Sequence, residues 1–153
     1  MKTCSWPIEE LLPHAAPMIL IDRVVSYDRE GLLAEVTVRA DHPFAGPDGA
    51  PAHLGIEFMA QACGALTGCW SKEKGGPVRV GFLLGTRHFL AARPLLPVGL
   101  RLGVAVRVVI NDSEMGVFEC RLLDGDTIVA EAQLNVYQPA SDEAARTILT
   151  RGR

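Results

Sequence analysis

Apolar and polar positions recur along this chain with two different periods, and the change between them divides it. Over residues 32–40, Leu32, Ala34, Val36 and Val38 alternate with Leu33, Glu35, Thr37 and Arg39, the period of two that a strand with one buried face requires. A β-rich run over residues 18–27 precedes it, separated by the turn signal Asp28-Arg29-Glu30-Gly31, so the two predict a hairpin. Period two returns in the second half, where strands are predicted over residues 78–84, 87–90, 99–110, 115–123 and 127–137. Turns at 111–114 and 124–126 join the last three into a meander, since Asp and Gly tolerate the backbone angles of tight hairpins.

Between these halves the period changes. Residues 53–70, HLGIEFMAQACGALTGCW, place Ile56, Met59, Cys63, Leu66 and Trp70 three and four apart, the stripe of a long helix. Small or apolar residues on the other sides predict a helix buried nearly all round. Gly64 and Gly68 each weaken it by about 1 kcal/mol relative to alanine, a cost that makes sense where another backbone comes close. Glu57 is its one carboxylate and shares a polar line with Gln61, four residues on. Burial there would be costly unless the group is paired or protonated, and would shift its pKa.

The connecting segments are equally plain. Residues 7–12 suit a short helix, with Pro7 early and Glu9 and Glu10 near its positive end, and Pro13 stops it. Residues 41–52 lose all periodicity and form a loop, whereas 72–77 combine cations with Gly-Gly-Pro and end the long helix. Two strands, one helix and about four more strands make an α+β domain, an antiparallel sheet on its helix. One domain over residues 1–138 follows, with residues 139–153 a tail that forms a frayed helix or stays disordered. The edges of such a sheet need protection, and pairing of edge strands in a dimer supplies it.

Composition narrows the classes. A 48% hydrophobic, 22% charged chain of 153 residues is an ordinary globular protein, and a net charge of −3 without any basic run argues against a nucleic-acid partner. The N-terminus lacks an apolar segment of signal-peptide length, and the one long apolar span carries Glu57 and Gln61, so no membrane association and a cytoplasmic location are expected. Cys4, Cys63, Cys69 and Cys120 have no metal-ligand spacing and read as structural thiols, so no metal is expected.

Two motifs carry a resemblance. Residues 12–24, LPHAAPMILIDRV, resemble the LPHR-P-LL-DRV opening of the β-hydroxyacyl-acyl-carrier-protein dehydratases, and residues 56–62, IEFMAQA, resemble that family's helix signature E-x-MAQ. FLAARPLLPVG, residues 89–99, is similar to its RF-x-x-PV-x-PGD segment. Residues 55–61 together with 81–87, GFLLGTR, resemble the dehydratase-like branch of aryl polyene biosynthesis. The resemblance spans 12 to about 137 and implies a hotdog fold, a long central helix wrapped by a curved antiparallel sheet, working as a homodimer or higher oligomer on substrates carried by acyl carrier protein.

It also implies site residues. Glu57 matches the family's catalytic carboxylate, and His42, in HPFAG, is the nearest match to the catalytic histidine of the GHFPG loop, with proline and phenylalanine transposed. Ala52 stands where the family has an oxyanion-binding glycine. Dehydration of a 3-hydroxyacyl thioester needs a base for the α-proton, an acid for the leaving hydroxyl and donors for the enolate oxygen. His42 and Glu57 are expected to serve as base and acid from opposite subunits, with backbone N–H groups of Ala52 and His53 as the oxyanion site at a helix N-terminus. His53 is a second candidate base or specificity residue, and Gln61 either orients Glu57 or satisfies a buried backbone group. His14 is expected to be structural and His88 a strand residue.

Phe58, Phe82, Leu83, Leu84 and Phe89 are candidates for an acyl channel, and Arg79, Arg87, Arg93 and Arg101 for contact with an acidic carrier. No cofactor is expected. The competing readings are a hotdog acyl thioesterase and a non-catalytic acyl-binding partner subunit.

Overall fold

A computed structural model of the chain describes residues 1–14, 18–112, 114–140 and 142–151. Its strands are β1 (Lys2–Thr3), β2 (Arg23–Tyr27), β3 (Gly31–Thr37), β4 (Ala50–Pro51), β5 (Phe82–Ala91), β6 (Leu95–Leu96), β7 (Arg101–Asn111), β8 (Met115–Asp124) and β9 (Thr127–Tyr137). The helices are α1 (Gly55–Glu73) and α2 (Asp142–Arg151), the latter in the tail. Seven strands form one sheet in the order β1-β2-β3-β7-β8-β9-β5, and β4 pairs with β6 apart from it. Each pairing in the large sheet is antiparallel.

The alternation along the strands explains where the core lies. Leu32, Ala34, Val36 and Val38 are buried, as are Leu102, Val104 and Val106 of β7, and their alternates are more exposed. Met59, Ala62 and Leu66 of α1 pack into the same cluster, so one face of the sheet closes on one side of the helix. The hairpin between β2 and β3 turns on Asp28, whose Oδ1 accepts the N–H groups of Glu30 and Gly31, each at 2.8 Å. Gly75, at φ +71°, ends α1.

Three expectations need correction. The segment predicted as a helix over residues 7–12 makes only a 3₁₀ turn at Ile8–Glu10, because Pro7 and Pro13 leave too few residues for stable α-helical hydrogen bonding. Residues 78–84 and 87–90 do not give two strands: residues 78–81 lie outside the sheet, and β5 is one strand whose pairing with β9 shifts twice, with His88 at φ +56° in the second irregularity.

The third concerns the helix. Helical structure begins with a 3₁₀ turn at Ala52–Leu54 and continues through α1 to Glu73, but it is not buried all round. His53 and Glu57 are exposed and Ile56, Ala60, Gly64 and Thr67 half-buried. They follow one another at three- and four-residue spacings, so they form a continuous stripe. Small apolar residues on that stripe led to the expectation of burial, yet the sheet of a single chain covers only the opposite side.

Candidate active site

The site is built around the start of α1. Ala50 and Pro51 pair with Leu96 and Leu95, and the Ala52 N–H donates to the Pro94 carbonyl at 2.9 Å. These contacts anchor the loop of residues 41–52 immediately before the helix and place Glu57 in its first turn, where the macrodipole favours negative charge. They also remove Ala52 from the expected oxyanion pair, since its only N–H is already used. His53 stands in the first turn at this end, where the leading N–H groups have no intrahelical acceptor.

Glu57 lies on the rim of a cleft of about 190 Å³ that follows the uncovered stripe of α1. Gln61, Gly64 and Thr67 continue the helical wall, and Phe118 and Val136 form part of the sheet wall. The desolvation expected at Glu57 is not supplied by its own chain, because the carboxylate is exposed. His14 lines the same cleft. Sequence reasoning assigned it to the fold alone; its position in the N-terminal motif was the available signal.

Gln61 is 5% exposed, and both ends of its amide are hydrogen-bonded. Its Oε1 accepts the N–H groups of Leu20 at 2.8 Å and Ile21 at 3.4 Å, and its Nε2 donates to the Met18 carbonyl at 2.7 Å. Between its two expected roles, satisfaction of buried backbone is the one these bonds describe. The amide straps residues 18–21 onto the helix.

His42 is elsewhere. It lines a second cavity, about 360 Å³, with Leu20, Leu54 and Phe58. Consecutive residues Glu57 and Phe58 therefore serve different cavities, and His42 and Glu57 are not brought into one pocket within a single chain. The His42 Nδ1 accepts the Phe44 N–H at 3.1 Å, so the neutral ring in this arrangement carries its proton on Nε2. His53 is exposed and lines neither cavity.

The expected channel divides in the same way. Phe58 faces the His42 cavity and Leu83 the Glu57 cleft. Phe82, Leu84 and Phe89 line neither: Leu84, on the edge strand β5, is 57% exposed, and Phe89 packs against the core cluster. Arg79 is tied to the backbone carbonyls of Gln138, at 2.7 Å, and Pro139, at 3.0 Å, which makes it structural. Arg93 pairs with Asp124 at 3.4 Å, while Arg87 and Arg101 remain on the surface. Cys63 and Cys120 meet in the core at an Sγ separation of 3.6 Å, and burial pushes the Cys63 thiol pKa up.

A long helix wrapped by an antiparallel sheet, with a carboxylate near the helix start and a cleft along its open side, is the hotdog class. Comparison with known proteins narrows this further. Residues 6–148 match the family described as ApeP-like, ApeP dehydratase, and the chain belongs to that family. It is 35% identical over 130 residues to the 3-hydroxyacyl-[acyl-carrier-protein] dehydratase FabZ of Alkalilimnicola ehrlichii, covering 80% of this chain and 83% of that one. The FabZ of Chlamydia trachomatis serovar D is 30% identical over 135 residues, covering 84% and 87%. Among solved structures, the dehydratase heterocomplex ApeI:P from Xenorhabdus doucetiae superposes with a TM-score of 0.88 at 31% identity, covering 95% of this chain and 99% of that chain. The E. coli PaaI protein, at 14% identity and a TM-score of 0.57, shares the fold.

Proposed function

We propose that this chain is a lyase that dehydrates 3-hydroxyacyl thioesters on acyl carrier protein to trans-2-enoyl thioesters, in fatty-acid or aryl polyene biosynthesis. Membership of the ApeP-like dehydratases and the likeness to two FabZ enzymes support the reaction. The observation that carries the site is the exposed Glu57 at the rim of a cleft along the open stripe of α1.

In this reading two copies pair. The second covers the stripe, desolvates Glu57 and brings His42 of the partner subunit to the cleft. The histidine takes the α-proton, the enolate oxygen is held at the His53 N–H, and Glu57 protonates the departing hydroxyl, which leaves as water. His42 can act as the base through Nε2 only after its Nδ1 gives up the Phe44 N–H and takes the proton instead, a change for the dimer to supply. Exposed Arg87 and Arg101 suit transient contact with an acidic carrier. No helix among the described residues is long and apolar enough to cross a membrane.

The test follows enoyl product and free thiol together, with a 3-hydroxyacyl carrier substrate. Enoyl product without thiol is expected, and thiol release would mean a thioesterase instead. Glu57→Gln should lower turnover at least about 100-fold with the fold retained. His42→Ala should do the same and His53→Ala should not; a silent His42→Ala would transfer the base role to His53.

Two observations favour a second reading, a non-catalytic acyl-binding partner subunit. The His42 loop departs from the family motif, and the related solved structure is itself a heterocomplex. Acyl binding without turnover by the isolated chain, and turnover after a second dehydratase chain is added, would decide for it.

A further inference from the structure

The cleft beside Glu57 has a defined far end. Glu57 and Thr67 lie on the same stripe of α1, ten residues apart, which at about 1.5 Å per residue separates them by about 15 Å. At Thr67 the wall changes character. Gln138, immediately after β9, sends its Nε2 across to Thr67 Oγ1 at 3.2 Å and to the Arg79 carbonyl at 3.1 Å.

Gln138 is itself held in place. Its N–H donates to the Glu114 carbonyl at 2.7 Å, and its own carbonyl accepts from Arg79 Nη2 at 2.7 Å. The bridge is therefore a fixed polar bar between helix and sheet, half-buried on both sides. Beyond it is another cavity, about 430 Å³, which reaches towards Trp70 and Lys74. Thr67, Arg79 and Gln138 line both spaces, so the bar is a partition between them.

We propose that the Thr67–Gln138 bridge is a specificity element that limits the length of the acyl chain the cleft accepts. This rests on the dehydratase reading, in which the thioester lies at Glu57 and the acyl chain extends along the helix. A chain that stays short of the bridge lies beside Ala60, Gly64 and Phe118. A longer one has to break the Gln138 bonds and leave half-buried polar groups without partners, which is unfavourable. Where the bar is removed, the two cavities join and longer chains gain apolar contact.

The test uses the full chain and a series of 3-hydroxyacyl pantetheine thioesters of increasing length, with Thr67→Ala, Gln138→Ala and Thr67→Ser. Either alanine variant should raise the ratio of kcat/KM for the longest substrate to that for the shortest by roughly tenfold or more, the range for changes in apolar pocket contacts. Thr67→Ser, which keeps the hydroxyl, should keep the wild-type profile. The same ladder of saturated, unreactive acyl thioesters, followed by calorimetry, should show the matching shift in binding.

An unchanged length profile in a folded alanine variant would overturn the inference, as would the same shift in Thr67→Ser. Should one alanine variant fail to fold, the other carries the comparison. Failure of the wild type to dehydrate any substrate would sink the catalytic reading instead, and the binding profile would still decide the role of the bridge.

Discussion

Two glycines on one helix predict opposite outcomes. A Cβ at Gly68 would come within 2.2 Å of the Leu11 carbonyl oxygen, whereas one at Gly64 meets only the Leu12 Cδ2, at 3.4 Å. Gly68→Ala should destabilise the protein by about 1–3 kcal/mol through overpacking. Gly64→Ala should raise stability by up to about 1 kcal/mol through helix propensity, with both read from urea unfolding. The sequence placed both glycines where a backbone comes close, but only Gly68 has one against it. Gln61 tells a related story. Gln61→Leu strands two N–H groups and a carbonyl of residues 18–21 and should cost at least about 2 kcal/mol in the same assay. Its partners are some 40 residues away in sequence, which is why helical spacing could place it beside Glu57 yet not say what it bonds. Glu57 itself was legible, because one carboxylate on a long apolar run has no reason of packing to be there.

At the scale of elements, the N-terminal strand is fastened to the far end of α1. Glu73 accepts from the Tyr27 hydroxyl at 2.6 Å and pairs with Lys2. The Lys2 and Tyr27 hydrogen bonds hold its carboxyl below the usual range, while burial, then the Glu73 bond, raises the Tyr27 phenol. A depressed carboxylate pKa contributes stability that is present above the unfolded value and lost as pH falls through the folded one. A raised phenol pKa contributes stability that is present below its unfolded value and lost as pH rises through the folded one. The clamp should thus hold from mildly acidic to mildly alkaline pH and loosen below about pH 4. Hydrogen exchange at the Cys4 amide, which donates to the Val25 carbonyl at 3.1 Å, should accelerate there, corrected for its intrinsic pH dependence. Tyr27→Phe should reduce that acid-dependent change.

The same scale explains β5. The two runs predicted over 78–84 and 87–90 meet in one strand from residue 82, because β9 pairs with residues on both sides of Gly85 across register shifts. Alternation reports which side of a strand is apolar and is silent on how many residues a bulge absorbs.

For the whole molecule, the outstanding feature is uncovered apolar surface. Leu84 and Leu90 on the edge strand β5 are 57% and 63% exposed, and the stripe of α1 that carries Glu57 is open. We propose that the two copies of the dehydratase reading meet through the β5 edge. Leu84→Arg with Leu90→Arg should convert it to single chains by light scattering, with helical and strand signals intact. Dehydration should be lost in the same preparation, because the site then lacks its second chain. Retained activity in single chains would remove the shared-site reading.

From spacing alone came the hairpin, the long helix, the meander and Glu57, all of which depend on neighbours a few residues apart. Periodicity and turn chemistry are local, so they survive in a linear reading. Other features were decided only when the chain closed on itself: the separate cavities of His42 and Glu57, the loss of the Ala52 amide to Pro94, the strap through Gln61, and the Thr67–Gln138 bar. Each joins residues from distant parts of the chain or sets the direction of a side chain against them. Such contacts are specified by packing in three dimensions, which no residue's immediate neighbours encode.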